Sequence, residues 1–175
     1  MADKKLYDNL YKVIKANSGA FLANDTVLTE ILDLQIPHSY CARIRKVIFE
    51  DSLNDQQPRQ EFMSFYGAIV LDSDDEDSNQ IPTFTVDHDV LCDFHHEYSR
   101  FEMGTPDGIA IIHNKRTVIE FHEDLDVVTV RNIRFNVLGN GLDVESADQP
   151  QVNVTVYFTY EKITLDLYSK LLGIS

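Results

Sequence analysis

The strongest regularity in the chain is an alternation of apolar and polar positions near its end. Val152, Val154, Val156, Phe158 and Tyr160 point one way, and Asn153, Thr155, Tyr157, Thr159 and Glu161 point the other. A period of two sustained over this length predicts a strand with one buried face. The same period governs Leu32, Leu34 and Ile36, which alternate with Asp33 and Gln35 until Pro37 ends the run. Arg43 to Glu50 reads as another strand, with Ile44 and Ile48 on one face and Val47 and Phe49 mixed onto the other. Phe62 to Leu71 is apolar on both faces, as expected of a strand covered on both sides. Val127 to Leu138 switches parity: Val128 and Val130 share one face, while Ile133, Phe135 and Val137 share the other. One extra residue reverses the facing of a strand, so a bulge near Arg131-Asn132 is expected. Phe84 to Leu91, Phe94 to Phe101, Ile109 to Ile112 and Thr117 to His122 read as further strands.

Both ends read as helical. In residues 3 to 16, Leu6, Leu10, Val13 and Ile14 fall at three- and four-residue spacing behind a capping Asp3, and Asn17-Ser18-Gly19 stops the run. Thr164 caps a terminal helix in which Leu167, Tyr168 and Leu171 share a face and Gly173 ends it. Residues 51 to 60 and Asp72 to Asn79 offer no apolar face and are expected as exposed loops. Gly104 to Gly108 and His113-Asn114-Lys115 are turn-like breaks, and Asn140-Gly141 is a favoured tight-turn pair. Eight or nine short strands without helices between them exclude a doubly wound α/β fold and favour a sandwich or barrel. No internal repeat suggests a propeller or solenoid. The expected organisation is an N-terminal helix or arm over 1–19, a β-sandwich over 20–163 and a C-terminal helix over 164–175.

Composition agrees. A chain of 175 residues with 43% hydrophobic content is long enough for one self-sufficient core. The balance of 29 acidic against 15 basic residues gives a formal net charge of −14. Such a field repels phosphate, so strong nucleic-acid binding is not expected, despite the local cluster Arg43, Arg45 and Lys46. Cys41 and Cys92 match no zinc spacing; two free thiols in a β core are favoured, with one bridge as the alternative. Met1 to Lys5 leads into an amphipathic stretch rather than a secretory signal, and no apolar run approaches the ~20 residues of a transmembrane segment. A soluble, intracellularly made protein is expected.

The chemistry-bearing residues yield no clear site. Asp87-His88-Asp89, His95-His96-Glu97, His113 and His122-Glu123 invite a metal reading of the cupin kind. Adjacent His95 and His96 on a regular strand would point to opposite faces, however, so surface and half-buried histidines are the better account. In the acidic run, Asp75, Asp77 and Asn79 have alternating spacing, but Gln80 and Val86 stand where a calcium loop needs its Gly and bidentate Glu. No nucleophile elbow or phosphate-cradling glycine loop is present. Asn153-Val154-Thr155 fits the glycosylation sequon but sits in a strand. Tyr157, outward on the last strand, is the one aromatic suited to stacking on a sugar, against the more ordinary reading of cross-strand packing. No catalytic, cofactor-binding or metal residue is assigned, no cofactor is expected, and the chain reads as a non-enzyme.

The run Val127 to Val137, the strand Val152 to Ile163 and the helix Thr164 to Leu172, together with the N-terminal helix, make a layout that resembles single jelly-roll coat proteins of icosahedral viruses. The resemblance implies an all-β, jelly-roll-like antiparallel β-sandwich with short N- and C-terminal helices. It also implies a virion structural protein, capsid or capsid-associated, that self-assembles with copies of itself and neighbouring coat subunits, made in the host cytoplasm and carried in the virion. Coat proteins that touch the genome often carry a basic arm; here Lys4, Lys5, Lys12 and Lys15 are offset by an acidic body, which suits weak genome contact or a decoration role. A ligand- or carbohydrate-binding sandwich module is the alternative.

Overall fold

The computed structural model of the chain describes residues 10–53, 62–72, 90–99, 115–122, 127–142 and 149–171. They form nine strands and one helix: β1 Lys12–Asn17, β2 Val27–Leu32, β3 Tyr40–Ser52, β4 Phe62–Leu71, β5 Val90–Ser99, β6 Arg116–Glu120, β7 Val128–Thr129, β8 Ile133–Asn140, β9 Gln151–Lys162 and α1 Leu165–Leu171. Two antiparallel sheets result. One runs β1-β9-β3-β6, with β7 also on β3; the other runs β2-β8-β4-β5.

The pairings are nested. β1 pairs with β9, β2 with β8, β3 with β6 and β7, and β4 with β5. Successive pairs of the described strands fall in alternate sheets. Two further ladders, β3 on β9 and β4 on β8, knit each sheet at its middle. The core is the seam between the inner faces. Phe49 of the first sheet stacks on Phe94 of the second at 4.4 Å between centroids and lies 6.1 Å from Phe135, while Phe21 lies 5.5 Å from Phe65. Ile44, Val47, Val152, Val154 and Val156 meet Ile69, Ile133 and Val137 around them, all fully or nearly fully buried.

β9 follows the alternation in the sequence closely, and Ala68 and Val70 on the outer face of β4 are buried as its two-faced apolar pattern predicts. Other elements depart from expectation. Lys12–Asn17 is a strand, not the last turn and a half of a helix; its burial alternates with period two. Val13-Ile14 is β-branched and the unpaired edge of β9 is available, so a ladder outcompetes a short marginal helix. The parity switch expected as a bulge at Arg131-Asn132 is a change of sheet. β7 belongs to the first sheet and β8 to the second, and the Thr129 hydroxyl accepts from the Arg131 amide at 2.9 Å at the crossing. Leu32, Leu34 and Ile36 keep their alternating burial, but the ladder ends at Leu32, opposite the first residue of β8; beyond it the Leu34 amide donates to the Asn132 side chain at 3.1 Å and Gln35 sits at φ 49. Phe94 does not begin a new strand: β5 is continuous from Val90 to Ser99. Asp51 and Ser52 belong to β3 rather than to a loop.

Gly141 takes φ 71 after Asn140, consistent with the expected turn. Helix α1 is capped by Thr164, whose hydroxyl accepts from the Leu167 amide at 3.3 Å. The helix rests on the corner at residues 37–39 through an edge contact of Tyr168 with His38, and it buries no residue of its own. Among the described residues no helix is long and apolar enough to cross a membrane. Residues 3–9, the loops 54–60 and 73–79, the turn 104–108, the strands expected at 84–89 and 109–112, and Gly173 lie outside the described residues.

Candidate functional site

Among the described residues, two places gather polar side chains in a defined geometry. One is buried between the sheets and the other is open on the outer face of the first sheet.

The buried one closes the side of the sandwich where the edge strands β5 and β6 meet. On β5, Cys92, Phe94, His96 and Tyr98 face inward while Asp93, His95 and Glu97 face out. His96 is 4% exposed, and its Nδ1 lies 2.7 Å from Asp51 Oδ2 across the seam. Its Nε2 lies 2.7 Å from the Thr117 hydroxyl on β6. The Tyr98 hydroxyl donates to the same Asp51 oxygen and accepts from the Lys115 amide at 3.0 Å. The Lys115 ammonium donates to the Glu97 carbonyl and lies 4.8 Å over the Tyr98 ring. A tautomer with its proton on Nδ1 donates to Asp51 and leaves Nε2 to accept from the Thr117 hydroxyl. Asp51 Oδ1 is buried without a hydrogen-bond partner among the described residues. A carboxylate, imidazole and hydroxyl in this order are the parts of a nucleophilic relay. Thr117, however, pairs with inward-facing Phe49 and turns into the seam, away from the groove described next. The arrangement ties three strands from two sheets at a point where an apolar contact would leave the Asp51 carboxylate stranded.

The open site lies across the middle of the first sheet. Cross-strand register places Val13, Tyr157, Lys46 and Glu120 in one row, and Lys15, Thr155, Ile48 and Val118 in the next. Arg45 interrupts the β3–β9 ladder: Ile44 pairs with Phe158 and Lys46 with Tyr157, leaving Arg45 as the extra residue of a bulge. Its carbonyl is taken by the Phe121 amide at 3.0 Å, which anchors the end of β6 to the bulge. Consecutive residues of a regular strand face opposite ways; here the bulge turns both Arg45 and Lys46 to the outer face. The two line a groove of about 420 Å³ with Tyr11, Glu120, Phe121 and Tyr157. Lys46 pairs with Glu120 at 2.6 Å, and Arg45 reaches Glu161 at 3.4 Å, beside a 2.7 Å bond from Arg43 to the same carboxylate.

The structure thus gathers Tyr157 with two members of the basic cluster, which sequence reading treated separately, and adds Tyr11, Phe121 and Glu120 to them. The signal that could have joined them is the parity break inside Arg43 to Glu50. The cluster is also accompanied by Glu120 and Glu161, so it is not a bare cationic stripe. His95 and His96 point to opposite faces as strand geometry requires: His95 packs on Tyr66 at 4.7 Å and lies 3.3 Å from Glu97, and His122 is exposed. Asp72, the first residue of the acidic run, pairs with the Arg134 guanidinium. His88, His113 and residues 73–80 lie outside the described residues. Cys41 and Cys92 are free and buried, which excludes the bridge between them. Burial, with the Glu161 charge second, raises the Cys41 thiol, and burial with Asp93 second pushes Cys92 up to about 12. Asn153 is half-buried and accepts from the Asn17 amide group at 2.8 Å, so the sequon is a ladder position. No protein-family model matches the chain, and a search of curated proteins finds no relative.

Proposed function

We propose that this chain is a non-enzymatic virion structural subunit, capsid or capsid-associated, built on a jelly roll and joined to copies of itself or neighbouring coat subunits. The observation that supports the reading best is the nested pairing of β1 with β9, β2 with β8, β3 with β6 and β7, and β4 with β5, the pairing a jelly roll would require. Exposed apolar side chains suit the second half of the proposal. Leu10, Tyr11 and Val13 border the edge strand β1, Ile31 lies on the edge strand β2, Leu22 sits between them, and α1 exposes Leu165 and Leu167. Each is a surface that burial in an interface would stabilise. The overall charge of −14 fits a subunit that does not coat nucleic acid directly. Electron microscopy and analytical ultracentrifugation of the purified protein test this reading. Shells, rings or trimers are expected, and a monomer at high concentration overturns it.

The groove over Tyr157 favours a second reading, a ligand-binding sandwich module. A monomer whose thermal stability rises with an added glycan is the outcome that selects it.

A further inference from the structure

From the groove on the outer face of the first sheet we infer a binding site for an acidic saccharide: a pyranose ring whose apolar face lies on Tyr157 and its aromatic neighbours, and whose carboxylate is held by Arg45 and Lys46. The inference rests on the ligand-binding reading of this groove.

Three requirements on the ligand follow from the lining. Tyr11, Tyr157 and Phe121 offer aromatic surface, and the electron-rich face of a tyrosine attracts the polarised C–H groups on the flat side of a sugar ring. Arg45 and Lys46 stand side by side on one face because of the bulge at Arg45. A bulge on an otherwise regular thirteen-residue strand re-aims a side chain at the cost of a ladder position. Here the side chain gained by the outer face is a guanidinium, which a carboxylate fits in two-pronged fashion. Glu120 supplies acceptor oxygens, and those suit a ligand that also carries hydroxyl donors. A hydrophobic peptide would leave the charged wall unmatched, and a simple carboxylate would leave the aromatic wall unused.

The present partners of the two cations do not close the site. Lys46 and Glu120 form a solvent-exposed pair, of a kind that contributes little. Arg45 reaches Glu161 only at 3.4 Å, and Glu161 is already held by Arg43 at 2.7 Å. A ligand carboxylate can therefore engage Arg45 and Lys46 without stranding a buried charge. The volume of about 420 Å³ admits one or two sugar rings. A chain of −14 disfavours a long polyanion at a distance, while one carboxylate matches the single positive charge left by Arg43, Arg45 and Lys46 against Glu120 and Glu161.

The test is ligand-observed NMR on the full chain with a matched pair of probes, methyl β-glucuronide and methyl β-glucoside, which differ only in the carboxylate, together with uridine monophosphate. The expected result is saturation transfer to the ring C–H protons of the glucuronide, with affinity about tenfold above the glucoside. Lys46→Gln and Arg45→Gln should each bring the two sugars toward parity, and Tyr157→Ala should abolish transfer while thermal unfolding confirms that the variant is folded. Equal binding of glucoside and glucuronide overturns the acidic assignment and leaves the ligand-binding reading standing. Tighter binding of the nucleotide than of either sugar overturns the saccharide assignment. No transfer to any probe overturns the inference and the ligand-binding reading together, without touching the assembly reading, which microscopy decides.

Discussion

His96 of one sheet and Asp51 of the other meet at 2.7 Å across the seam of the sandwich, with 4% and 1% of their surfaces exposed. A buried carboxyl group needs hydrogen-bond partners, and among the described residues His96 and Tyr98 supply them. Removing the imidazole leaves the buried Asp51 carboxyl group with Tyr98 alone as a side-chain partner among the described residues. His96→Ala should therefore lower unfolding free energy by about 3 kcal/mol. Thr117→Val, which removes only the outer hydroxyl, should cost about 1 kcal/mol. Urea denaturation measures both. In a double-mutant cycle with Asp51→Ala, the paired loss should fall short of the sum of the single losses, because removing either partner already breaks the bond.

Alkaline pH should destabilise the fold. Burial pushes Cys92 up to about 12 from 9.0, and burial, with the bond to Asp51 second, raises the Tyr98 phenol. Both groups stay neutral in the folded chain at a pH where the unfolded chain has begun to ionise. The Cys92 contribution is whole below about pH 9 and is lost as pH rises toward 12, and the Tyr98 contribution begins to fall only above the free phenol value of 10.0. Thermal unfolding followed from pH 8 upward should show a falling midpoint, with a shallower slope in Cys92→Ala. At neutral pH, neither thiol should react readily with Ellman's reagent until the chain is unfolded, since both are buried and hold few thiolates.

Gly67 lies in the middle of β4, where a Cβ would fall 2.8 Å from the Asn136 carbonyl oxygen and 2.6 Å from a ring carbon of Phe94. The ring can shift by a few tenths of an ångström. The carbonyl cannot do so freely, because it belongs to the β4–β8 ladder. Gly67→Ala should lose about 2 kcal/mol by overpacking, with a reduced midpoint in urea and an unchanged fold.

Elements whose burial is one-sided and uninterrupted were legible in the residues themselves. β9 alternates cleanly from Val152 to Phe158 because one face lies on the seam throughout. β1 was not, because Val13 and Ile14 satisfy a helical stripe as well as a strand, and only the open edge of β9 decides between them. The parity break after Val130 announced an irregularity without telling a bulge from a change of sheet, since both reverse facing. The buried cluster was hidden for a different reason: Asp51 looks like the first residue of a polar loop, and its partners are 45 and 47 positions away. The groove was half visible, in Tyr157 and the basic cluster, but Glu120 and Phe121 join it only through the register of β6 on β3.

The bulge at Arg45 makes a last prediction. Ala42 and Ile44 face the core before it, and Val47 and Phe49 face the core after it; these positions are compatible only because one residue between them has no partner on β9. Deleting Arg45 would restore a regular ladder and force a choice. Either Ala42 and Ile44 turn outward, or Val47, Phe49 and Asp51 do, carrying the Phe49–Phe94 stack and the His96 bond with them. Neither half can be given up, so the deletion should abolish cooperative unfolding and the near-ultraviolet circular dichroism of the core. Arg45→Gly keeps the residue count and should keep the fold, losing no more than about 1 kcal/mol. A deletion as stable as that substitution would mean that β3 accommodates the slip, and that the side-by-side placement of Arg45 and Lys46 is incidental to the core.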